Sequence, residues 1–285
     1  MSGVGVALFG LFHYVPMAGL VVAFKDFTIS RGIWGSPWNG LDNFVRLFEG
    51  EEFSIALRNT LIISVLRLSI GFVAPIVLAL LLSELRVGLL RRGVQTASFI
   101  PYLLSWVILG GISLMVFAQE GPLNRMTAFV GCQPVSFLTD GKWFLTVLIA
   151  TGIWQNAGYG AVIYLAALAG ISPTLYEAAV IDGANRWQVV RFVTMPALAP
   201  TILVLFILNL GHILDAGFDQ VYNLYNPLVY DVADIIDTYV LRRMISLDFG
   251  LSAAAGMFKS VVGFVLIYGA NWTVRRLSSD TPGLW

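Results

Sequence analysis

Six stretches of 21 to 26 mostly apolar residues run through this sequence, and they constrain the fold more than any other feature. The hydrocarbon core of a bilayer is spanned by about 20 such residues in a helix. Inside that core every backbone N–H and C=O must be satisfied, which only helices and closed barrels achieve. The stretches therefore predict an all-α integral membrane protein with six transmembrane helices, at residues 3–24, 60–82, 94–118, 144–169, 197–217 and 250–274.

The composition excludes several classes of protein. Charged residues make up 12% of the chain, about half of their share in a typical soluble protein. Lys and Arg together number 17, as do Asp and Glu, so no basic excess exists to meet nucleic-acid phosphates. Cys132 is the single cysteine, and the two histidines, His13 and His212, lie far apart. We therefore expect no intramolecular disulfide and no bound metal.

The distribution of basic residues predicts the orientation. Six spans place both termini on one side, and Lys and Arg favour the cytoplasmic side in short loops. One set of segments (1–2, 83–93, 170–196, 275–285) holds 7 basic residues in 51 positions, whereas the other set (25–59, 119–143, 218–249) holds 8 in 92. We therefore expect cytoplasmic termini.

The first 24 residues contain no charged side chain and so lack the basic start of a signal peptide. This predicts that the first helix is retained and that a charged leader precedes it in the natural protein.

Two of the outer loops carry amphipathic patterns. Loop 25–59 has apolar residues at helical spacing, which predicts a short helix at the membrane interface. Loop 218–249 has a longer apolar stripe, which predicts either an interfacial amphipathic helix or a docking surface for an extracytoplasmic partner. The first pattern consists of Phe44, Leu47 and Phe48, and the second of Val232, Ile235, Ile236, Tyr239 and Val240.

The inner segment 171–196 is too regular for a linker. Ser172 at the N-cap, Pro173 at the first helical position and Gly183 just past the end delimit a helix of about ten residues. We expect Gly183 to take a left-handed conformation that closes this helix. A second short helix, 185–194, is expected to end at Met195-Pro196, with Pro200 opening the next span. Such a helix-turn-helix could transmit force from another protein, or it could be a connector that packs on its own bundle.

The residues of this segment resemble the EAA motif of binding-protein-dependent ABC import permeases. The motif appears as Glu177-Ala178-Ala179 followed by Asp182-Gly183-Ala184, with Phe192, Pro196 and Pro200 downstream. Further stretches look like the carbohydrate, maltose-permease-like branch of these permeases and its polysaccharide and oligosaccharide subgroup. They are 32–38, 40–44, 164–168 and 226–232, so the resemblance covers nearly the whole chain.

The resemblance implies a type I importer permease, a single transmembrane domain over residues 1–285, in a bacterial plasma (inner) membrane. Expected partners are a second, homologous permease, two cytoplasmic ATPases that bind ATP and Mg, and an extracytoplasmic solute-binding protein. In that family the EAA segment is the coupling helix that contacts the ATPase. By resemblance, that contact is carried here by Glu177, Ala178, Ala179, Asp182 and Gly183.

Polar residues inside spans are costly, so they are candidates for a solute pathway. Span four carries Asn156 and Tyr159, and span five carries Asn209 and His212, with Asp215 turned away from Asn209. We expect the two sets to face each other across a water-filled cavity. Amides, imidazole and an aromatic ring suit the hydroxyl edges and apolar faces of a sugar. The resemblance also points to these two helices. The alternative is that the small and polar face of span four serves helix packing.

Arg67 in span two and Lys259 in span six have no partner evident from the sequence. Each could snorkel, pair with a carboxylate, or attract an anionic cargo such as the uronate polymer alginate.

The energy source must lie outside the chain, because the sequence has no G-x-x-x-x-G-K-[ST] loop to bind a nucleotide. The expected function is therefore an importer subunit that is not an enzyme by itself. An ion-coupled secondary transporter is the alternative, and it would show inverted repeats and discontinuous helices.

Overall fold

The computed structural model describes residues 2–85, 88–211 and 213–277. Every regular element in those ranges is a helix, and the one strand-like contact is an isolated bridge between Lys25 and Trp38. The predicted all-α class is therefore confirmed. The main helices are Gly3–Phe24, Asp42–Glu49, Glu51–Glu84, Gly88–Leu103, Trp106–Val116, Pro122–Phe129, Gly141–Ala169, Pro173–Ile181, Arg186–Gly211, Phe218–Leu224, Ile236–Ile245 and Phe249–Leu277.

Four helices in the described ranges are long and apolar enough to cross a membrane, or up to six if each of two bent pairs counts as one span. The four are Gly3–Phe24, Glu51–Glu84, Arg186–Gly211 and Phe249–Gly269. Gly3–Phe24 has the predicted bounds. Glu51–Glu84 begins nine residues before the predicted start at 60 and contains 34 residues. At 1.5 Å per residue it is about 50 Å long, so it extends well beyond a hydrocarbon core of about 30 Å.

The predicted span 94–118 is not one straight helix. The chain forms the helices Gly88–Leu103 and Trp106–Val116, which meet at an angle of 106°. Pro101 lies in a 3-10 turn before the break, and Leu104 and Ser105 are extended. Proline cannot donate the helical hydrogen bond and its ring crowds the carbonyl four residues earlier, which accounts for the break at this point.

The predicted helix end at Met195-Pro196 is also wrong. One helix runs from Arg186 to Gly211 through both Pro196 and Pro200. A π turn, Val190–Thr194, directly precedes the first proline, and the N–H of Met195 bonds to the carbonyl of Val190. The π turn has a wider hydrogen-bond spacing, which accommodates the proline where it would otherwise interrupt the helical hydrogen bonds. The helix therefore continues.

Span five also ends earlier than predicted, at Gly211 instead of 217. A short 3-10 turn, Ile213–Asp215, follows, and then Ala216 and Gly217 both have positive φ angles of 44° and 75°. Left-handed residues cannot continue a right-handed helix. Asp215 is therefore outside the helical register that the sequence pattern assumed.

The amphipathic stripe of loop 218–249 packs inside the protein instead of lying at an interface. Ile235 and Ile236 are 0% exposed and Tyr239 is 1% exposed. They join two hydrophobic clusters whose other members include Phe53, Phe144 and Leu251. The Asp42–Glu49 helix of loop 25–59 is confirmed as a helix, and its Leu47 is likewise fully buried. The buried residues of both stripes therefore pack against apolar side chains of this same chain.

The helix Gly141–Ala169 lies at the centre of the bundle. Asp140 caps its start by accepting hydrogen bonds from the backbone N–H groups of Lys142 and Trp143, at 3.0 and 3.2 Å. At Gly158 a Cβ atom would overlap the backbone carbonyl of Ser98, and at Gly160 it would come within 2.7 Å of Pro75. These glycines let two neighbouring helices pack at backbone distance.

We expect Gly158→Ala to destabilise the fold. The added methyl meets backbone, which cannot move aside as a side-chain end can, so the cost should be about 1–3 kcal/mol. Gly263→Ala in the helix Phe249–Leu277 is a matched control, because its Cβ would have no atom within 4 Å. Thermal unfolding of the purified proteins in detergent measures the effect. Equal unfolding midpoints for the two variants would contradict the packing described.

Candidate functional site

A cavity of about 820 Å³ opens between the helices Glu51–Glu84, Gly141–Ala169 and Arg186–Gly211. Residues 213 and 215–217 and the bend near Tyr102 complete its wall. Three of the four residues predicted for the solute pathway, Asn156, Tyr159 and Asn209, line it. The fourth, His212, lies outside the described residues. Polar lining residues that the prediction did not include are Ser64, Arg67, Tyr102, Tyr164 and Asp215.

The two asparagines present their amides in the same manner. Asn156 Nδ2 donates to the carbonyl of Gly152 at 2.9 Å, and Asn209 Nδ2 donates to the carbonyl of Leu205 at 2.8 Å. Both bonds run back along the helix, which fixes the amide plane. Within the described ranges no donor is bonded to either Oδ1, and both residues are exposed to the cavity. Each can accept a hydrogen bond from a solute.

An aromatic pair forms another part of the wall. The rings of Tyr102 and Tyr159 are stacked, with centroids 4.1 Å apart and planes within 6°. Phe99 lies 6.0 and 6.4 Å from the two ring centroids. Tyr102 follows Pro101 in the turn at the bend, so the bend brings its ring to the cavity. Sequence patterns gave no signal for this, because the residue belonged to a span predicted as continuous.

Arg67 and Gln220 meet at one end of the cavity. A guanidinium N–H of Arg67 donates to Gln220 Oε1, and Gln220 Nε2 donates to the Leu148 carbonyl and to Thr151 Oγ1, both at 2.7 Å. Gln220 is 0% exposed. Its amide is therefore held by the central helix and in turn fixes the guanidinium. Arg67 is partly buried and lines the cavity.

Lys259 is neutralised by two carboxylates. Its Nζ lies 2.7 Å from Asp215 Oδ1 and 2.8 Å from Asp237 Oδ2. Asp215, predicted to face away from Asn209, lines the same cavity as Asn209, because the helix ends before it. Burial raises the pKa of Asp237, Asp215 adds to that rise, and the bond from Lys259 opposes it. The three groups form a compact ion cluster beside the cavity.

A second ion cluster orders loop 218–249. Arg242 lies 2.6 Å from Asp234 Oδ2, and Asp234 Oδ1 accepts from Thr238 Oγ1 at 2.7 Å. The bond to Asp234 raises the pKa of Arg242, although burial opposes the rise. Burial also raises the pKa of Tyr225 to about 12, and the neighbouring Tyr230 adds to that rise. Arg242 and Tyr225 therefore keep their protons throughout the physiological range.

The segment 171–196 contains the predicted helix, at Pro173–Ile181. Gly183 follows with φ 76°, and the N–H groups of Gly183 and Ala184 bond to the carbonyls of Val180 and Ala179 at 3.1 and 2.9 Å. This is a Schellman ending, which satisfies the last carbonyls of the helix. The predicted left-handed glycine is thus present.

The helix Pro173–Ile181 has no buried residue. Ile181 is 85% exposed and Val180 is 67% exposed, which is unusual for apolar side chains next to a structured turn. A cleft of about 300 Å³ separates this helix from the start of the next one, and Ala179, Asp182, Gly183, Ala184, Gln188, Phe192 and Val193 line it. The contacts of Glu177, Ala178, Ala179, Asp182 and Gly183 with an ATPase stay a prediction.

Known proteins resemble this chain over nearly its full length. Protein LplB of Bacillus subtilis (strain 168) is 41% identical over 283 residues, which cover 99% of this chain and 88% of LplB. The polygalacturonan/rhamnogalacturonan transport system permease protein YteP of the same organism is 42% identical over 97% of this chain and 87% of its own.

Solved structures agree with these relatives. A chain in the crystal structure of a bacterial ABC transporter involved in the import of the acidic polysaccharide alginate superposes with a TM-score of 0.90. It is 40% identical, and the match covers 96% of this chain and 93% of that one. The same fold appears, at TM-score 0.90 and 39% identity, in that transporter in complex with alginate pentasaccharide-bound periplasmic protein. The match covers 98% of this chain and 93% of that one. The type I permease fold is therefore confirmed.

Residues 56–279 match the family described as the inner membrane component of binding-protein-dependent transport systems. This match covers most of the chain. In such systems the membrane component and the ATPase are separate subunits, which agrees with the missing nucleotide-binding loop. This chain belongs to the family of binding-protein-dependent transport system inner membrane components, and it is the permease part of an ABC importer.

Proposed function

We propose that this chain forms half of the path by which an ATP-driven importer carries an oligo- or polysaccharide across a bacterial plasma membrane. The observation that carries the proposal is the 820 Å³ cavity, which gathers amide oxygens and a stacked aromatic pair among helices long enough to cross a bilayer. Relatives whose names include a polygalacturonan permease and an alginate importer support a saccharide as the cargo.

The chemistry of the cavity suits a saccharide. Asn156 and Asn209 offer acceptors for hydroxyl groups from two different helices, and Tyr159 offers a ring and a phenol. Sugars combine hydroxyl edges with apolar C–H faces, so a wall with both amides and rings contacts both surfaces. An ion-coupled secondary transporter is not favoured, because the family to which the chain belongs depends on a binding protein.

The proposed assembly has three further kinds of component. A second, homologous permease encloses the other half of the path, two cytoplasmic ATPases supply energy from ATP and Mg, and a solute-binding protein delivers cargo from outside. The bent pair Gly88–Leu103 and Trp106–Val116 counts as one span and the helix Gly141–Ala169 as another, which gives six spans with cytoplasmic termini in one domain, 1–285. The exposed helix Pro173–Ile181 then couples the permease to an ATPase, because none of its residues is buried and Val180 and Ile181 are 67% and 85% exposed.

We expect Asn156→Ala and Asn209→Ala each to lower uptake several-fold, since a lost hydrogen bond to a solute is worth on the order of 1 kcal/mol. Yield of the assembled complex and its basal ATPase activity should stay unchanged. Asn223→Ala is the matched control, because Asn223 makes the same bond back along its own helix, to the Asp219 carbonyl at 2.7 Å, but does not line the cavity. Equal losses of yield and uptake would assign the asparagines to helix packing instead.

We expect Gly183→Val to uncouple ATP hydrolysis from the loaded binding protein. A β-branched residue at φ 76° costs about 1–2 kcal/mol and distorts the end of the helix Pro173–Ile181. Gly183→Asn is the control, because asparagine tolerates left-handed φ and the site has open space within 4 Å. The readout is stimulation of ATPase activity by loaded binding protein. Wild-type stimulation in the valine variant would refute the coupling assignment.

The single cysteine provides a test of the proposed topology. Cys132 is exposed and lies in the segment 119–143, which the proposal places outside the cytoplasm. A membrane-impermeant maleimide should therefore label it in intact spheroplasts. In a Cys132→Ser, Leu89→Cys variant the new thiol, at a position 84% exposed in the segment 83–93, should react only after permeabilisation. The reverse pattern would place the termini outside.

A further inference from the structure

The two cations that sit inside predicted spans have opposite environments. Lys259 lies between two carboxylates, Asp215 at 2.7 Å and Asp237 at 2.8 Å. Arg67 has no carboxylate within 4 Å among the described residues, and its hydrogen-bond partner there is the neutral amide of Gln220. Lys259 is therefore a structural ion, whereas no carboxylate within the described ranges compensates the charge of Arg67.

Gln220 is a neutral amide and cannot supply the missing negative charge. Its own hydrogen bonds fix the orientation in which it contacts Arg67. Its Nε2 is committed to the Leu148 carbonyl and to Thr151 Oγ1, both at 2.7 Å. Its Oε1 is thereby directed at the guanidinium of Arg67. A fully buried, fully oriented amide holds the cation in place without neutralising it. A mobile or snorkelling arginine would not need such a support.

Two unsatisfied polar groups lie at this end of the cavity. Arg67 Nε and Ser64 Oγ are buried and have no hydrogen-bond partner within the ranges that the structure describes. The two residues are three positions apart on one helix, so they lie on the same face, and both line the cavity. Unsatisfied buried donors are costly, and a ligand that accepts from both removes that cost.

We propose that Arg67, supported by Gln220 and with Ser64 beside it, is a carboxylate-recognising residue of the cavity and selects acidic saccharides over neutral ones. This inference rests on the proposed function. A guanidinium is a planar fork of N–H donors that matches the two oxygens of a carboxylate. A uronic acid unit carries such a carboxylate on a sugar ring. The asparagines and tyrosines of the cavity wall suit that ring, as they suit other sugars.

Asp215 does not cancel this selectivity. It is the carboxylate of the cavity wall, and its Oδ1 is held by Lys259 at 2.7 Å. Asp237 shares that same ammonium group. Asp215 is therefore paired with Lys259 and not with Arg67, so that among the described lining residues the guanidinium of Arg67 is left to pair with an anionic cargo.

The test uses the assembled importer with its ATPases and binding protein, reconstituted in liposomes. Its probes are an oligo-uronate of four units and a neutral glucose oligosaccharide of the same length. Each variant is compared with wild type for each probe, so the preference of the binding protein cancels. Arg67→Gln should lower uptake of the uronate about tenfold, as expected for losing a charged hydrogen bond, and change neutral uptake less than about twofold. Arg67→Lys should retain part of the uronate uptake.

A second pair of variants alters the charge without removing the arginine. A Cβ atom at Gly152 would lie 3.6 Å from Arg67 Nη2, so Gly152→Asp places a carboxylate beside the guanidinium. Gly152→Asn has the same shape and no charge. Uronate uptake should be about tenfold lower in the aspartate variant than in the asparagine variant. This comparison decides the question even if Arg67→Gln does not assemble. Arg125→Gln, outside the cavity, is a control that should change neither uptake.

Three results are distinguishable. Selective loss of uronate uptake in Arg67→Gln, or in Gly152→Asp relative to Gly152→Asn, supports the inference. Equal losses of both saccharides in Arg67→Gln, or equal uronate uptake in the two Gly152 variants, overturn it and leave saccharide import intact. If the wild-type importer carries neither saccharide, the proposed function itself fails.

Discussion

The close approach of the helix Gly141–Ala169 to its neighbours is the interaction on which the remaining structure depends. At Gly158 the backbone of the helix Gly88–Leu103 comes so near that a Cβ has no room, and at Gly160 the ring of Pro75 does the same from the helix Glu51–Glu84. Lipid tails are as apolar as leucine, so association of helices in a membrane relies on such tight van der Waals contact. The cavity lies beside these contacts, and Asn156 and Tyr159 owe their positions to them.

Periodicity and helix-ending rules predicted the parts of the structure that depend on local chemistry. Gly183 was expected in a left-handed conformation because it follows a capped helix, and it has φ 76°. Asn156, Tyr159 and Asn209 were expected to share a cavity because polar groups in a span avoid lipid, and they do. These inferences needed only the residue types and the spacing within one segment at a time.

The parts that could not be predicted depend on contacts between distant residues or on unusual backbone. Arg67 meets Gln220 across 153 positions, so no pattern in the sequence separates it from Lys259. Ala216 has a positive φ, which its residue type disfavours, and this turn moves Asp215 to the cavity. The bend at Leu104 required knowing that Pro101 would break its helix, whereas Pro196 and Pro200 lie within a helix that continues. Prolines alone do not distinguish these outcomes.

The helix Glu51–Glu84 makes ionic contacts at both of its ends. Near its start, Glu52 lies 2.9 Å from Arg243 of loop 218–249, and at its other end Glu84 lies 3.5 Å from Arg186, which begins the helix after the EAA segment. Arg67 lies between them, at the start of a π turn. The helix is about 50 Å long, and Arg67 lies near its middle. A rigid tilt of this helix would displace its two charged ends in opposite directions and would turn Arg67 with them, so the cavity and the ion pairs at both ends would change together.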